Sequence, residues 1–209
     1  MSNFADELKK SADEYFSIIG GTLVVAVTED TEGAIRREYE KSDGTKGVKY
    51  EKKYRNLRGV IVNMEFQDTD FGEQFRLSVS NWIGTAVLSM STDSKYFSDF
   101  AKKLPNIDLM EELTLNPYDF TTDNDKRKTG FSIMQSGNKI ESAYYDVKEK
   151  KNVRGMPEPE GDTKTFDKDD WKSYFIKVKK FLKKEVQAVV IPLKEATSKD
   201  VETVFDEMP

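Results

Sequence analysis

Between residues 33 and 90 the chain is a succession of short β-type segments separated by turn signals. Ile35, Arg37 and Tyr39 alternate with charged residues, which is the period of a strand that faces solvent on one side. Residues 42–45 then read Ser-Asp-Gly-Thr, which is typical of a tight turn. The strands predicted from such patterns are 22–27, 35–40, 48–54, 60–66, 74–80, 84–90, 108–117, 130–135 and 139–145. Because these strands do not alternate with helices, the pattern argues against a parallel α/β sheet and favours antiparallel hairpins.

Three helices are predicted from apolar spacing. The first spans residues 3–19 and ends at two glycines, and the second spans 93–104, ahead of Pro105. The third and strongest spans 167–189, where acidic residues at the start complement the helix dipole. Its apolar stripe consists of Trp171, Phe175, Val178 and Leu182.

These elements predict a mainly β fold with added helices. The best-fitting architecture is an antiparallel barrel similar to the oligonucleotide-binding fold, followed by a long C-terminal amphipathic helix and an acidic tail. We expect residues 1–194 to form one domain and 195–209 to be flexible. Apolar residues are only 37% of the 209, but 13 Phe, 9 Tyr and 2 Trp provide large pieces for a core.

The residue types that are missing exclude several classes of function. The chain has no cysteine and no histidine, which excludes disulfides, thiolate zinc sites and the usual general base. No apolar run approaches the roughly 20 residues of a membrane span, and the N-terminus lacks the order of a secretory signal. We therefore expect a cytoplasmic protein that uses no cofactor.

The strongest functional signal is residues 36–58, called here the basic segment. It holds nine basic residues against four acids, a local balance of +5 in a chain of net charge −5. The basic residues are Arg36, Arg37, Lys41, Lys46, Lys49, Lys52, Lys53, Arg55 and Arg58, with Tyr39, Tyr50 and Tyr54 between them. Cations for phosphates and rings for bases are what an unpaired nucleic-acid strand requires. The alternative is a solvated hairpin whose charges protect an exposed edge.

Three further regions carry a marked charge. Lys126, Arg127 and Lys128 precede Phe131, and a second cluster spans 148–154. These clusters suggest a groove if they converge on the basic segment. Residues 195–209 have a net charge of −4, which favours contact with basic partners or competition with nucleic acid.

An enzyme is a weaker alternative. Carboxylates at Glu65, Asp68, Asp70 and Glu73 could hold Mg²⁺ for phosphoryl chemistry. They cluster at a predicted hairpin turn, where Asp and Gly are expected for backbone reasons. No phosphate-binding loop of the GK[ST] type is present. We therefore predict no catalytic residue and no metal site.

Residues 116–141, NPYDFTTDNDKRKTGFSIMQSGNKIE, resemble the single-stranded DNA-binding proteins of tailed bacteriophages, and so does the acidic tip ending at Pro209. The resemblance implies sequence-tolerant, non-catalytic coating of unpaired strands during replication and recombination, in the host cytoplasm. It implies that Lys126, Arg127 and Lys128 contact the backbone and that Tyr118 or Phe131 stacks on bases. The acidic tail would then contact replication or recombination proteins. The alternative function is a virion or assembly protein that uses the basic hairpin for protein contacts.

Overall fold

The computed structural model describes residues 14–41 and 43–206, with side chains described as far as residue 190. The protein is mainly β, and it carries a long C-terminal helix. A 3-10 turn at Leu104–Asn106 follows the first helix. The elements are β1 (Glu14–Ile19), β2 (Thr22–Val27), β3 (Ile35–Glu40), β4 (Lys46–Tyr54), β5 (Leu57–Thr69), β6 (Gly72–Ser80), β7 (Thr85–Ser91), α1 (Lys95–Lys103), β8 (Leu113–Thr121), β9 (Arg127–Gln135), β10 (Asn138–Lys139), β11 (Tyr145–Asp146), β12 (Lys151–Asn152) and α2 (Lys168–Asp206).

One sheet contains ten of these strands, in the order β10-β9-β8-β5-β6-β7-β1-β2-β4-β3. Within this sheet only the β1–β7 pairing is parallel. β10 and β3 are edges, so the ten-stranded sheet is open and does not close into the antiparallel barrel expected from the sequence. The reason is that β1 pairs with the free side of β7, while β10 pairs with the free side of β9. β7 and β9 therefore have no free side through which they could pair with each other and close the sheet.

The open sheet nevertheless curls, and the turn between β1 and β2 comes to lie on β8. Gly21 has a φ of +76°, and a Cβ there would stand 2.5 Å from the backbone nitrogen of Asp119. Its amide donates a 3.0 Å hydrogen bond to the hydroxyl of Tyr96. Only glycine allows this close approach of the two chain segments.

Residues 14–19 form β1, so the helix predicted over 3–19 is wrong for this part, and 3–13 lie outside the described residues. Phe16 is buried, whereas Ser17 is exposed, which is the alternation of a strand. β1 hydrogen-bonds to strands on both sides, and tertiary pairing of this kind overrides a weak helical pattern. The predicted strand 139–145 is also wrong, except at Lys139 and Tyr145.

The core lies between the curled sheet and α1. Its fully buried aromatic residues are Phe75, Phe97, Phe100 and Phe131. α1 begins at Ser94, whose hydroxyl accepts a 3.1 Å hydrogen bond from the amide of Phe97.

A polar network fixes α1 to β9. The Lys103 ammonium is 2.7 Å from an Asp99 oxygen and also donates to the carbonyl of Phe131. The same Asp99 oxygen accepts a 2.6 Å hydrogen bond from the Phe131 amide. The helix therefore satisfies backbone groups of β9 at the point where it crosses that strand.

α2 packs Val178, Leu182 and Val186 into the core. It begins at Asp167, whose side chain accepts from two amides of the first turn, at 2.8 and 2.9 Å. The helix continues past Val189, where the apolar spacing predicted its end, to Asp206. Among the described residues no helix is long and apolar enough to cross a bilayer.

Candidate nucleic-acid interface

The basic segment forms the hairpin of β3 and β4 and the link into β5. β4 pairs with β2 only from Tyr50 to Tyr54, so its first four residues have β3 as their sole neighbour in the sheet. The hairpin therefore projects as a two-stranded ribbon beyond the rest of the sheet. At about 3.3 Å per residue, β4 is roughly 26 Å long from Lys46 to Tyr54.

The two faces of this ribbon carry different residues. Paired residues in antiparallel strands point to the same face, and Tyr54 is paired with the core residue Leu23. The register places Arg36, Lys46, Tyr50, Lys52 and Tyr54 on the core-side face. It places Arg37, Tyr39, Lys49 and Lys53 on the outer face. The basic residues of the segment are thus split between two faces, as alternation along a strand implies, and the register decides which of the two faces is turned toward the core.

Three of the arginines are occupied by carboxylates. Arg36 pairs with Glu38, and Arg58 with Glu112, each at 2.6 Å. Arg37 reaches the buried Glu51 at 2.6 Å. The hydrogen bond that Arg36 donates to the Glu38 carboxylate raises the pKa of Arg36 above its ordinary value.

The remaining cations of the segment make no ion pair with any other described residue. They are Lys41, Lys46, Lys49, Lys52, Lys53 and Arg55. Five of the six are exposed, and Lys52 is half-buried. These six charges are free to meet phosphates, since no local carboxylate has to be displaced first.

Each tyrosine of the segment has a partner in the fold. The Lys49 ammonium lies 4.9 Å from the centre of the Tyr39 ring, which also covers Gly47. Tyr54 is 37% exposed and meets Phe16 edge-on at 5.4 Å. A hydrogen bond to Glu29 raises the pKa of the Tyr50 hydroxyl.

The second predicted cluster lies on the ribbon of β8 and β9. Phe120 is paired with Lys128 across the ribbon, is 50% exposed, and lies 5.7 Å from the half-buried ring of Tyr118. Lys126 is exposed in the turn. These residues form an aromatic and cationic surface, and Phe120 was missing from the site predicted by sequence.

Arg127, which was predicted to contact the nucleic-acid backbone, instead pairs with a carboxylate across the β8–β9 ribbon. Its guanidinium makes two hydrogen bonds to the carboxylate of Asp119, at 2.7 and 2.5 Å. These bonds hold the pKa of Asp119 below its usual range. Such a bidentate pair fixes the two strands to each other.

The stacking role expected of Phe131 is wrong. Its side chain is 0% exposed and packs edge-on against Tyr96, with ring centres 5.6 Å apart. The alternation of β9 puts Phe131 on the opposite face from Lys128. Counting this period from Lys128 would have identified the error from sequence.

The turn of β1 and β2 brings the base of the basic segment to the β8–β9 ribbon. Gly21 lies against Asp119, and Leu57 of β5 pairs with Leu115 of β8. Tyr54 and Arg55, immediately before β5, therefore lie at the corner shared with β8. Lys41 and Lys46 lie at the far end of the hairpin, so the predicted residues form an extended path and not a compact patch.

The third cluster, residues 148–154, lies in and around the small β11–β12 pair, where Lys148, Lys150, Lys151 and Arg154 are exposed. Tyr144, next to it in sequence, is buried and donates a 3.1 Å hydrogen bond to Glu185. Burial and this bond raise the pKa of Tyr144 to about 12. Tyr144 therefore belongs to the core and not to the surface of this cluster.

The carboxylates weighed for a metal site are dispersed along the β5–β6 hairpin. Glu65 lies 3.9 Å from Arg76, and Glu73 pairs with Lys183. Asp68 is opposite Glu73, and Asp70 is in the turn. Within the described residues no group of three or more acidic side chains is placed to hold a metal ion.

The chain was compared with protein-family models, curated proteins and solved structures. No protein-family model, no curated protein and no solved structure matches the chain. The surface is therefore interpreted from its own geometry and charge.

Proposed function

We propose that this protein binds single-stranded DNA and coats unpaired strands in a sequence-tolerant way, without catalysis. The observation that carries the proposal is the projecting basic hairpin, whose six cations without carboxylate partners lead to the Tyr118–Phe120 surface. A single strand exposes both its phosphates and its bases, and a surface with spaced ammonium groups and exposed rings complements both. A duplex keeps the flat faces of its bases stacked inside the helix, so the exposed rings of the ribbon would have no base to stack on.

The charge pattern predicts how binding responds to salt. Each phosphate neutralised on a single strand contributes about −0.7 to the slope of log affinity against log salt. Six free cations in contact would therefore give a slope of roughly −4. Stacking on Phe120 and Tyr118 would add an attraction that salt does not screen.

The order of elements supports an oligonucleotide-binding architecture within the larger sheet. β5, β6 and β7 form a meander, α1 follows, and the β8–β9 hairpin returns to pair with β5. This is the order of elements of the partly open, five-stranded barrel that serves many proteins as a strand-binding platform. In this proposal β1 to β4 are an addition that carries the basic hairpin.

The resemblance to phage proteins supplies the cellular setting of the proposal. The protein would act in phage replication and recombination, in the host cytoplasm. The acidic segment 195–209 would contact replication or recombination proteins through its net charge of −4.

Fluorescence anisotropy tests the function directly. Labelled single-stranded DNA, single-stranded RNA and duplex DNA are titrated with the protein at two salt concentrations. We expect tight binding of the single strand, weak binding of the duplex and a steep loss of affinity with salt. Equal affinity for strand and duplex, or no binding at low salt, would refute the proposal.

A second candidate is a virion or assembly protein, because β3 is an open edge of the sheet. An exposed edge can accept a strand from another chain. A protein used only for assembly need not retain DNA. Purified protein that binds no oligonucleotide but forms salt-sensitive oligomers would favour this candidate.

A further inference from the structure

A groove of about 660 Å³ lies between α1 and α2, away from the basic segment. Its apolar lining includes Phe97, Val178 and Leu182, which are buried, and Phe175 and Ile176, which are exposed. Thr129 of β9 lines the groove on its third side, between the two helices. The groove therefore opens to solvent at an apolar, aromatic rim.

The aromatic rim is held in a fixed position. Phe175 is 58% exposed, and its ring stacks on Trp171 at 5.9 Å with an angle of 26°. Tyr174 packs against both rings, at 6.0 Å from Trp171 and 5.3 Å from Phe175. A ring that is braced from behind and open in front can accept a base without first losing rotamer freedom.

Four lysines line the groove against two aspartates, which gives it a net charge of +2. Asp93 is paired with Lys179 at 2.5 Å, and Asp99 is occupied by Lys103. Lys95, Lys102 and Lys172 make no ion pair with any other described residue.

Lys102 is half-buried on the wall of the groove, and burial lowers its pKa. A partly desolvated ammonium that is in no ion pair gains from a bound anion. An anion beside an apolar, aromatic wall is what a nucleotide provides.

The groove borders the face of the β8–β9 ribbon opposite Lys128 and Phe120, because successive side chains of a strand point to opposite faces, so a strand held at Lys128 would reach the groove by passing around the ribbon. Thr129, on its third side, follows Lys128 in β9 and donates a 3.2 Å hydrogen bond to Asp119. Asp119 is the residue on which the Gly21 turn lies, at the base of the basic segment. The β8–β9 ribbon thus links the basic segment on one side with the groove on the other.

We propose that this groove is a second subsite for the same unpaired strand, with a base stacked on Phe175 and phosphates at Lys95, Lys102 and Lys172. The inference rests on the proposed function, because the strand reaches the groove from the β8–β9 ribbon. An acidic peptide would satisfy the lysines, but it would leave the exposed face of Phe175 without a flat partner. The observations therefore favour nucleic acid.

The test compares groove variants with matched controls on a thymidine oligonucleotide of about 30 nucleotides, longer than the roughly 4–16 that one such fold covers. Phe175→Ala is paired with Phe71→Ala, which removes an exposed ring at the β5–β6 turn. Lys172→Gln is paired with Lys180→Gln, an exposed lysine of the same helix outside the groove. Since all four side chains are exposed, the fold is expected to survive, which thermal unfolding checks.

We expect Phe175→Ala to weaken binding at least about fivefold, the lower end of the loss for one stacked base. We expect Lys172→Gln to reduce the salt slope by about 0.7 and both controls to match the wild type. If each groove variant behaves like its control while the wild type binds, the groove inference is wrong and the proposed function stands. If the wild type binds no oligonucleotide, both are wrong.

A spectroscopic arm separates the strand from an acidic peptide. The chain has two tryptophans, so Trp82→Phe leaves Trp171, behind Phe175, as the single reporter. Its emission should change when the oligonucleotide is added and stay constant with an acidic peptide of equal charge. A response to the peptide alone would overturn the assignment.

Discussion

The polar network between α1 and β9 yields a quantitative prediction. In Asp99→Asn the amide oxygen can still accept from the Phe131 amide, but the Lys103 ammonium loses its counter-charge. The Lys103 side chain is 7% exposed and that of Asp99 is 23% exposed. The change therefore leaves a buried ammonium whose partners are neutral oxygens only, the Phe131 carbonyl and the introduced amide oxygen.

Breaking a buried ion pair from one side costs about 3–5 kcal/mol. Because Asp99 is partly exposed, water screens part of the lost attraction, and the lower end, about 3 kcal/mol, is expected. For a chain of this size 1 kcal/mol shifts the unfolding midpoint by about 2–4 °C, so the loss is roughly 6–12 °C. The double variant Asp99→Asn with Lys103→Met removes the buried charge as well and should recover most of the stability.

Urea unfolding of the wild type, the two single variants and the double variant provides the assay. The coupling free energy follows from the four midpoints and slopes. If Asp99→Asn lowers the free energy of unfolding by less than about 1 kcal/mol, the Lys103 ammonium is solvated. A double variant that is less stable than Asp99→Asn would contradict the argument that the unpaired buried charge causes the destabilisation.

Four other outcomes are expected. Gly47→Ala should lower the free energy of unfolding by about 1 kcal/mol, because the added methyl group meets the Tyr39 ring at 2.5 Å and displaces it; thermal unfolding measures this. Phe120→Ala should weaken oligonucleotide binding at least about fivefold in anisotropy, and an unchanged affinity would remove Phe120 from the surface. Tyr144 has a folded pKa of about 12, so the folded state holds its proton more tightly and stability should fall as pH rises from 10 toward 12; Tyr144→Phe should flatten that fall in urea titrations. Deletion of 195–209 should tighten strand binding by removing a competing net charge of −4, and equal or weaker binding would refute competition.

Alternation and turn chemistry were enough to predict most of the sheet. The hairpin of β3 and β4 forms as expected, with Glu40 paired with Lys46, and so does the hairpin of β5 and β6. Both depend on local signals, namely a period of two and a turn between strands. What these signals do not contain is the pairing of distant strands, which decided that the sheet stays open.

From the sequence, the candidate site could be predicted only within single strands and helices, not in the way these elements pack together. The basic segment is visible in sequence, but its division into two faces depends on the register of β4 against β2. The α1–α2 groove depends on the packing of residues 95–102 against 172–182, and no local spacing encodes that contact. Lys179 and Lys183 of α2 pair with Asp93 and Glu73, and these long-range ion pairs likewise have no local signal in the sequence.

The unit of β1 to β4, which carries the basic hairpin, is attached to the rest of the described structure at three places. β1 pairs with β7 over Glu14 to Phe16, the two-residue link at 55–56 joins β4 to β5, and the amide of Gly21 is hydrogen-bonded to Tyr96. Three separate attachments fix the orientation of the basic hairpin, whereas a single attachment would allow it to rotate. The basic hairpin and the β8–β9 ribbon are therefore aligned when the chain folds, and a bound strand would not have to supply the free energy needed to orient them.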